Sequence, residues 1–242
     1  YFYYTNHYHT VGNKWNTMNN TTINYFYNYM YYAQMYNARD DRGLYANNEV
    51  INRTNTGGYG LYVYGGSVDI LHNSFLTTGP SSYALYIQGY NGTISCKNNQ
   101  FLSANIPVNV YQGSSITFDY NNYYSTSNII GNWEGSSYFS LSDWINKCGD
   151  VNARSVAPVY IDSTESLELL SYTGMACPLD STIRTDINNT SRSSITTVGA
   201  YSLPIFEGYN LSISEVTEPA LLTAVKCYPD YSTIKAMLYN AG

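Results

Sequence analysis

The sequence predicts an all-β chain folded as a parallel β-helix with coils of about 24 residues. Three observations carry this. An Asn-x-apolar triplet recurs as "NYF" at Asn24, "NEV" at Asn48, "NSF" at Asn73, "NQF" at Asn99 and "NYY" at Asn122, at spacings of 24, 25, 26 and 23 residues. A second row, "GLYVYGG", "ALYIQGY" and "PVNVYQG", sets Leu61, Leu85 and Val108 apart by 24 and 23 residues. Between the rows lie "GSVDI", "GTISC" and "SSITF", each a short alternating strand entered from a Gly or Ser turn. Three strands per period make a coil that buries its apolar side only by stacking on its neighbours, about 4.8 Å away. Leucine-rich repeats would show L-x-x-L-x-L, and a sandwich would space its strands by 8–12 residues without a phase-locked Asn.

Composition agrees. Among 242 residues there are 29 Tyr and 28 Asn, while charged residues make up 12%, about half the usual share. Residues that favour strands and turns dominate, and the Lys and Glu of solvated helix faces are scarce. A net charge of −6 argues against nucleic acid or an anionic membrane surface as partner. No apolar run approaches the ~18 residues of a membrane span, so no direct membrane insertion is expected.

Taken in order, "YFYYTNHYHT" already reads as strand although the chain begins with Tyr1, so a piece of a longer polypeptide is expected. Residues 1–126 hold the coils. In a stack, each Asn of the row Asn24, Asn48, Asn73, Asn99 and Asn122 donates its amide to an oxygen of the next coil, forming a structural ladder in which an otherwise costly buried amide is satisfied. Alternation sends Leu61, Val63, Leu85 and Ile87 inward and Tyr62 and Tyr86 outward, with Asn109 next in their row. Outward tyrosines at coil spacing are candidate carbohydrate contacts through their ring faces, or a protective cover for the sheet. The acidic turn "ARDDRG" makes Asp40, Asp41 and Arg42 the cluster to weigh for catalysis, with Ca²⁺ as the cation such carboxylates would take. Otherwise neither cofactor nor metal is expected. His7 and His9 share one strand face but lack a third ligand, and His72 stands apart. Cys96, Cys148, Cys177 and Cys227 have no metal-like spacing and read as buried thiols, with a Cys148–Cys177 disulfide open if the protein is exported.

After Asn122 the repeat loosens. The stretch "SLSDW" with Asp150, Asn152, Ser155, Pro158 and Tyr160, then Asp186, Asn188, Arg192 and "VGAY" at 198–201, resembles the C-terminal part of right-handed (pectate-lyase-like) β-helix modules in secreted multidomain proteins of Bacteroidota. The family's Gly is Asn189 here, which still tolerates positive φ, and its Glu after "GAY" is Ser202. A turn tied down by Asp186 and Arg192 is expected there, since "DINNTS" lacks the further ligands of a calcium loop. Residues 127–203 are therefore expected to be the last coils and cap. The tail from 204 to 242 resembles the opening strands of an Ig-like adhesion domain of the CARDB type, too few to make a sandwich. "DST" at Asp162 and Asp180 resembles a short O-glycosylation signal of the same phylum.

The resemblance implies a structural or adhesive module of a large secreted or cell-surface protein, exported by a route such as type IX secretion. Its partners would be neighbouring domains of the same chain, the secretion machinery in transit and a polysaccharide or cell-surface glycan. The alternative it implies is a polysaccharide lyase or glycoside hydrolase; fold alone does not choose.

Overall fold

The computed structural model describes residues 43–203 apart from 54–56, 90–91, 113–114 and 162–165, together with the backbone of residues 15–19, 22–26, 35–37, 42, 211–218 and 235–240. Among the described residues, five successive coils, each of three strands, build a parallel β-solenoid. They are β1 (Trp15–Asn19), β2 (Thr22–Phe26) and β3 (Met35–Asn37); then β4 (Arg42–Ala46), β5 (Glu49–Arg53) and β6 (Gly57–Val63). The third coil is β7 (Ser67–Leu71), β8 (Ser74–Thr77) and β9 (Ser81–Gln88); the fourth is β10 (Thr93–Lys97), β11 (Gln100–Ser103) and β12 (Ile106–Gln112). The fifth is β13 (Ser115–Asp119), β14 (Asn122–Ser125) and β15 (Gly131–Trp133), and β15 then pairs antiparallel with β16 (Ser136–Tyr138). Like strands stack into three sheets, β1-β4-β7-β10-β13, β2-β5-β8-β11-β14 and β3-β6-β9-β12-β15-β16.

The register explains the core. Inward rows put like on like: Tyr45, Ile70, Cys96 and Phe118 in the first sheet; Val50, Phe75, Phe101 and Tyr123 in the second; Leu61, Leu85 and Val108 in the third. All are buried. The Phe75 and Phe101 rings lie 5.9 Å apart with planes 2° from parallel, and Tyr123 follows Phe101 at 5.8 Å. Gly60 has no room for a side chain, since a Cβ would meet the Ala84 carbonyl at 2.5 Å and the Phe75 ring at 2.9 Å. Between the first and second sheets the second to fifth coils each turn through one left-handed residue: Asn47 (φ 50), His72 (φ 53), Asn98 (φ 58) and Tyr120 (φ 56). Asn is the non-Gly residue most at ease there.

The last coils and cap were expected over residues 127–203; among the described residues no strand after β15 and β16 joins the three sheets, and past β14 the second sheet continues as a single parallel bridge between Asn122 and Arg154. Helix α1 (Leu141–Cys148) closes the end of the stack. The Ser140 hydroxyl accepts from the Asp143 amide at 3.1 Å, and Gly149 ends the helix at φ 79. Trp144, fully buried, packs against Phe118, Tyr123, Trp133 and Tyr138 at 5.6–6.3 Å between ring centres. From Asp150 the chain turns back toward the earlier coils as a largely irregular strap, with one short antiparallel pair, β17 (Ala176–Pro178) and β18 (Ile195–Thr197). The strap binds the outward row of the second sheet. Glu49 accepts from the Leu167 amide at 2.5 Å, the Ser74 hydroxyl accepts from the Ala200 amide at 3.0 Å, and Gln100 meets both Tyr160 and the Val198 carbonyl at 2.9 Å.

Residues 206–242 form a separate unit whose described part is an antiparallel ribbon of β19 (Leu211–Glu218) and β20 (Lys235–Asn240).

Candidate functional site

Two polar or aromatic rows set the chemistry of the solenoid, one inside and one outside. Inside, Asn48 Nδ2 donates to Asn73 Oδ1 at 2.8 Å, Asn73 Nδ2 to Asn99 Oδ1 at 3.0 Å, and Asn99 Nδ2 to Asn121 Oδ1 at 3.0 Å. Each acceptor oxygen also takes the backbone N–H of the previous rung. The second amide hydrogen goes to a main-chain carbonyl: Asn73 to Tyr45, Asn99 to Ile70, Asn121 to Cys96. Both donors and the acceptor of each central rung are thus used, so the row is satisfied although it is buried.

The rungs differ from the expected set at both ends. Asn121 takes the place assigned to Asn122, which lies one residue on, in register with Gln100, and bonds Val156 of the strap through both its Nδ2 and its Oδ1. Asn24 is in register with Ile51, three positions away from Asn48. The fifth coil is short, and of two adjacent asparagines the first is the one that precedes an inward ring by two residues. Beyond Asn121 the ladder ends on Asp150. Its carboxylate accepts from the amides of Tyr120 and Asn121, from Asn121 Nδ2 and from the Tyr123 hydroxyl at 2.9–3.1 Å. Burial nevertheless pushes its pKa up, against the pull of those hydrogen bonds.

Outside, the third sheet carries tyrosines. Tyr62 and Tyr86 are register partners with ring centres 5.1 Å apart, and the row continues to Asn109 and Asn132 and, along the backbone, back to Tyr36. Sequence alternation did not anticipate that Tyr59 and Tyr83 join them. Gly60 and Leu61, like Ala84 and Leu85, are buried as consecutive pairs, so each strand bends and returns its tyrosines to the outer face three residues apart. Tyr59 stacks on Tyr83 at 5.7 Å and meets Tyr86 edge-on at 5.1 Å, and Tyr64 adjoins Tyr62 at 6.3 Å. All five are half-buried. The Tyr62 hydroxyl donates to Gln88 Oε1 at 2.5 Å. The result is a continuous aromatic field edged by hydroxyls and amides, a surface suited to stacking on sugar rings while bonding their hydroxyls.

Asp40 and Asp41 lie outside the described residues, as do His7, His9 and Cys227, and Arg42 is described only as the first backbone position of β4. Among the described residues no three His, Cys, Asp or Glu side chains gather round a common point. Cys96, Cys148 and Cys177 are free and buried, with Cys148 and Cys177 in different apolar clusters, so the disulfide left open between them is not formed. Burial pushes the thiols of Cys148 and Cys177 up to about 11 and about 12. Asp186 ties its own turn, accepting from the amides of Asn188, Thr190 and Ser202 at 2.8–3.0 Å, with Asn189 at φ 62. Arg192 reaches from the strap to Asn47 Oδ1 at 2.8 Å and to the carbonyls of Gly199 and Ala200 at 3.0 Å.

Compared with family models, curated proteins and solved structures, the chain finds no match. The tyrosine field is the candidate site on geometry alone.

Proposed function

We propose that this chain is a structural or adhesive module of a large secreted or cell-surface protein, and that it contacts glycans through the tyrosine field of its third sheet. The observation that carries the reading is the unbroken contact among Tyr59, Tyr62, Tyr64, Tyr83 and Tyr86 on one outward face. The strap engages the outward row of the second sheet, and the third sheet is where aromatic side chains reach the surface in register. In this reading the solenoid is a rigid rod that repeats a contact at coil spacing. The finer affiliation goes with it: a right-handed, pectate-lyase-like module of the Bacteroidota type, exported through type IX secretion and followed by a CARDB-type Ig-like domain starting in the 206–242 unit.

Affinity electrophoresis against neutral and acidic polysaccharides tests the site. Wild type should be retarded by at least one of them, and the Tyr62→Ala/Tyr86→Ala double variant should bind about 10- to 100-fold more weakly, the loss of two aromatic contacts. Equal retardation of both proteins, at unchanged circular dichroism, would remove the tyrosine field from the proposal. A viscosity assay on the same polysaccharides tests the lyase or hydrolase alternative: depolymerisation that is lost in Asp41→Ala would replace the adhesive reading.

A further inference from the structure

The strap is held to the left-handed corner of the solenoid by polar contacts, and the middle residue of that corner row is a histidine. Asn47, His72 and Asn98 occupy the same position in three consecutive coils, and all three are buried. Asn47 Nδ2 donates to the Thr185 carbonyl at 2.7 Å, and its Oδ1 accepts from Arg192. Asn98 Nδ2 donates to the Pro178 carbonyl at 3.0 Å, and its own carbonyl accepts from the Gly199 amide at 2.8 Å. His72 sits between them, 0% exposed, with Nε2 3.0 Å from Asn98 Nδ2.

That contact assigns the tautomer. Asn98 Nδ2 is a donor, oriented by Pro178, so His72 Nε2 accepts and the ring proton lies on Nδ1. Nδ1 has no hydrogen-bond partner; the Thr197 and Gly199 carbonyls bear on the ring without meeting it in bonding geometry. The charge that faces the ring from the strap is Arg192, itself buried, while the coil neighbours Asn47 and Asn98 are neutral. A second proton on His72 would set an N–H against the N–H of Asn98 and a cation near Arg192, in a site closed to water.

We propose that His72 is an acid-sensitive latch: protonation of its ring releases residues 176–200 of the strap from the corner row while the coils beneath stay folded. Burial first, and Arg192 second, hold the ring well below the ordinary histidine value, against the weaker pull of the two carbonyls. The open state therefore binds more protons than the closed one. Closure is at full strength above about pH 6.5, and the open fraction grows about tenfold per pH unit below it. Glu49, under residues 166–167, works the other way. Burial raises its pKa, against the pull of the Leu167 amide, so the closed state takes up a proton there as pH falls and closure over Glu49 is favoured. Release is thus confined to the segment over His72. The proposal does not depend on the glycan reading.

Hydrogen exchange from pH 7.5 to 5.0, corrected for the intrinsic rates, tests it. Protection at the amides of Gly199 and Ala200 should fall about tenfold per unit below pH 6.5, while the ladder amides of Asn73 and Asn99 hold. In His72→Asn the strap should show no such slope. Asn is what the neighbouring coils use at this corner, and its oxygen can accept from Asn98. Strap protection that stays flat in wild type, or falls equally in His72→Asn, overturns the latch. Should His72→Asn not fold, the ¹⁵N shifts of the wild-type ring decide. A neutral Nδ1–H ring at pH 7.5, replaced at low pH by a separate imidazolium signal, supports release. A smooth titration near pH 6.5 with the strap still protected overturns it.

Discussion

At the residue scale the ladder shows why an amide stands at one coil position and a carboxylate at another. Asn99 Oδ1 meets two donors, the amide and Nδ2 of Asn73, and its Nδ2 meets two acceptors, Ile70 O and Asn121 Oδ1. An amide offers both kinds of atom, whereas a carboxylate offers acceptors alone. Asp150 is met by four donors, so a carboxylate fits where the ladder ends. Asn99→Ala would orphan two buried donors and should lower stability by about 3–5 kcal/mol in chemical denaturation. Asn99→Asp should be at least as damaging at pH 7, because its second oxygen faces two others. Its folded-state pKa would then be raised, so part of the stability returns as pH drops from 7 to 5, a trend that denaturation midpoints at the two pH values would read directly. The ladder itself was legible because it repeats; its terminal rungs were not, because "NNYY" offers two registers that only the inward ring of Tyr123 decides.

Elements divide into those that repeat and those that do not. Strand order and coil length follow from the period, whereas α1 and the strap occur once and leave no periodic trace. One signal for the strap was present. Val50–Ile51, Phe75–Leu76 and Phe101–Leu102 are consecutive apolar pairs, and a strand that is apolar on both sides belongs to a sheet covered on both faces. Ile51 and Leu102 are indeed buried on the outward side. The cap is a packing problem in a single side chain. A Cβ on Gly131 would meet the Trp144 ring at 2.5 Å, so ring and glycine are fitted to one another. Trp144→Ala should cost about 3–5 kcal/mol, the range for deleting a buried aromatic, and should also expose the apolar end of the stack. Trp144→Phe should cost far less, since the indole N–H is buried without a partner and its removal offsets part of the lost area. Thermal midpoints of the two variants separate these outcomes; similar losses in both would mean that the cap needs the indole itself.

For the whole molecule the strap changes what kind of folding unit a solenoid can be. A stack in which each coil touches only its neighbours is quasi-one-dimensional, and its ends can fray independently of its middle. Here the contact of Arg192 with Asn47 joins residues 145 apart, tying the second coil to a segment that leaves from the fifth. Asp150 secures the other end through Asn121 and Tyr123. Loss of one end should therefore loosen the other. In wild type, urea unfolding followed by circular dichroism and by the fluorescence of Trp133 and Trp144 in a Trp15→Phe background should give one shared midpoint, because the two tryptophans report the capped end while circular dichroism averages all the coils. Arg192→Ala removes the long-range tie and leaves the buried acceptors Gly199 O, Ala200 O and Asn47 Oδ1 without their cation. The two probes should then separate, with the early coils melting at lower urea and the main transition showing a smaller m value. If the midpoint falls but the probes remain superimposed and m is unchanged, the coils are coupled through their stacked rings and ladder alone, and the strap is a passenger on a stack that was already cooperative.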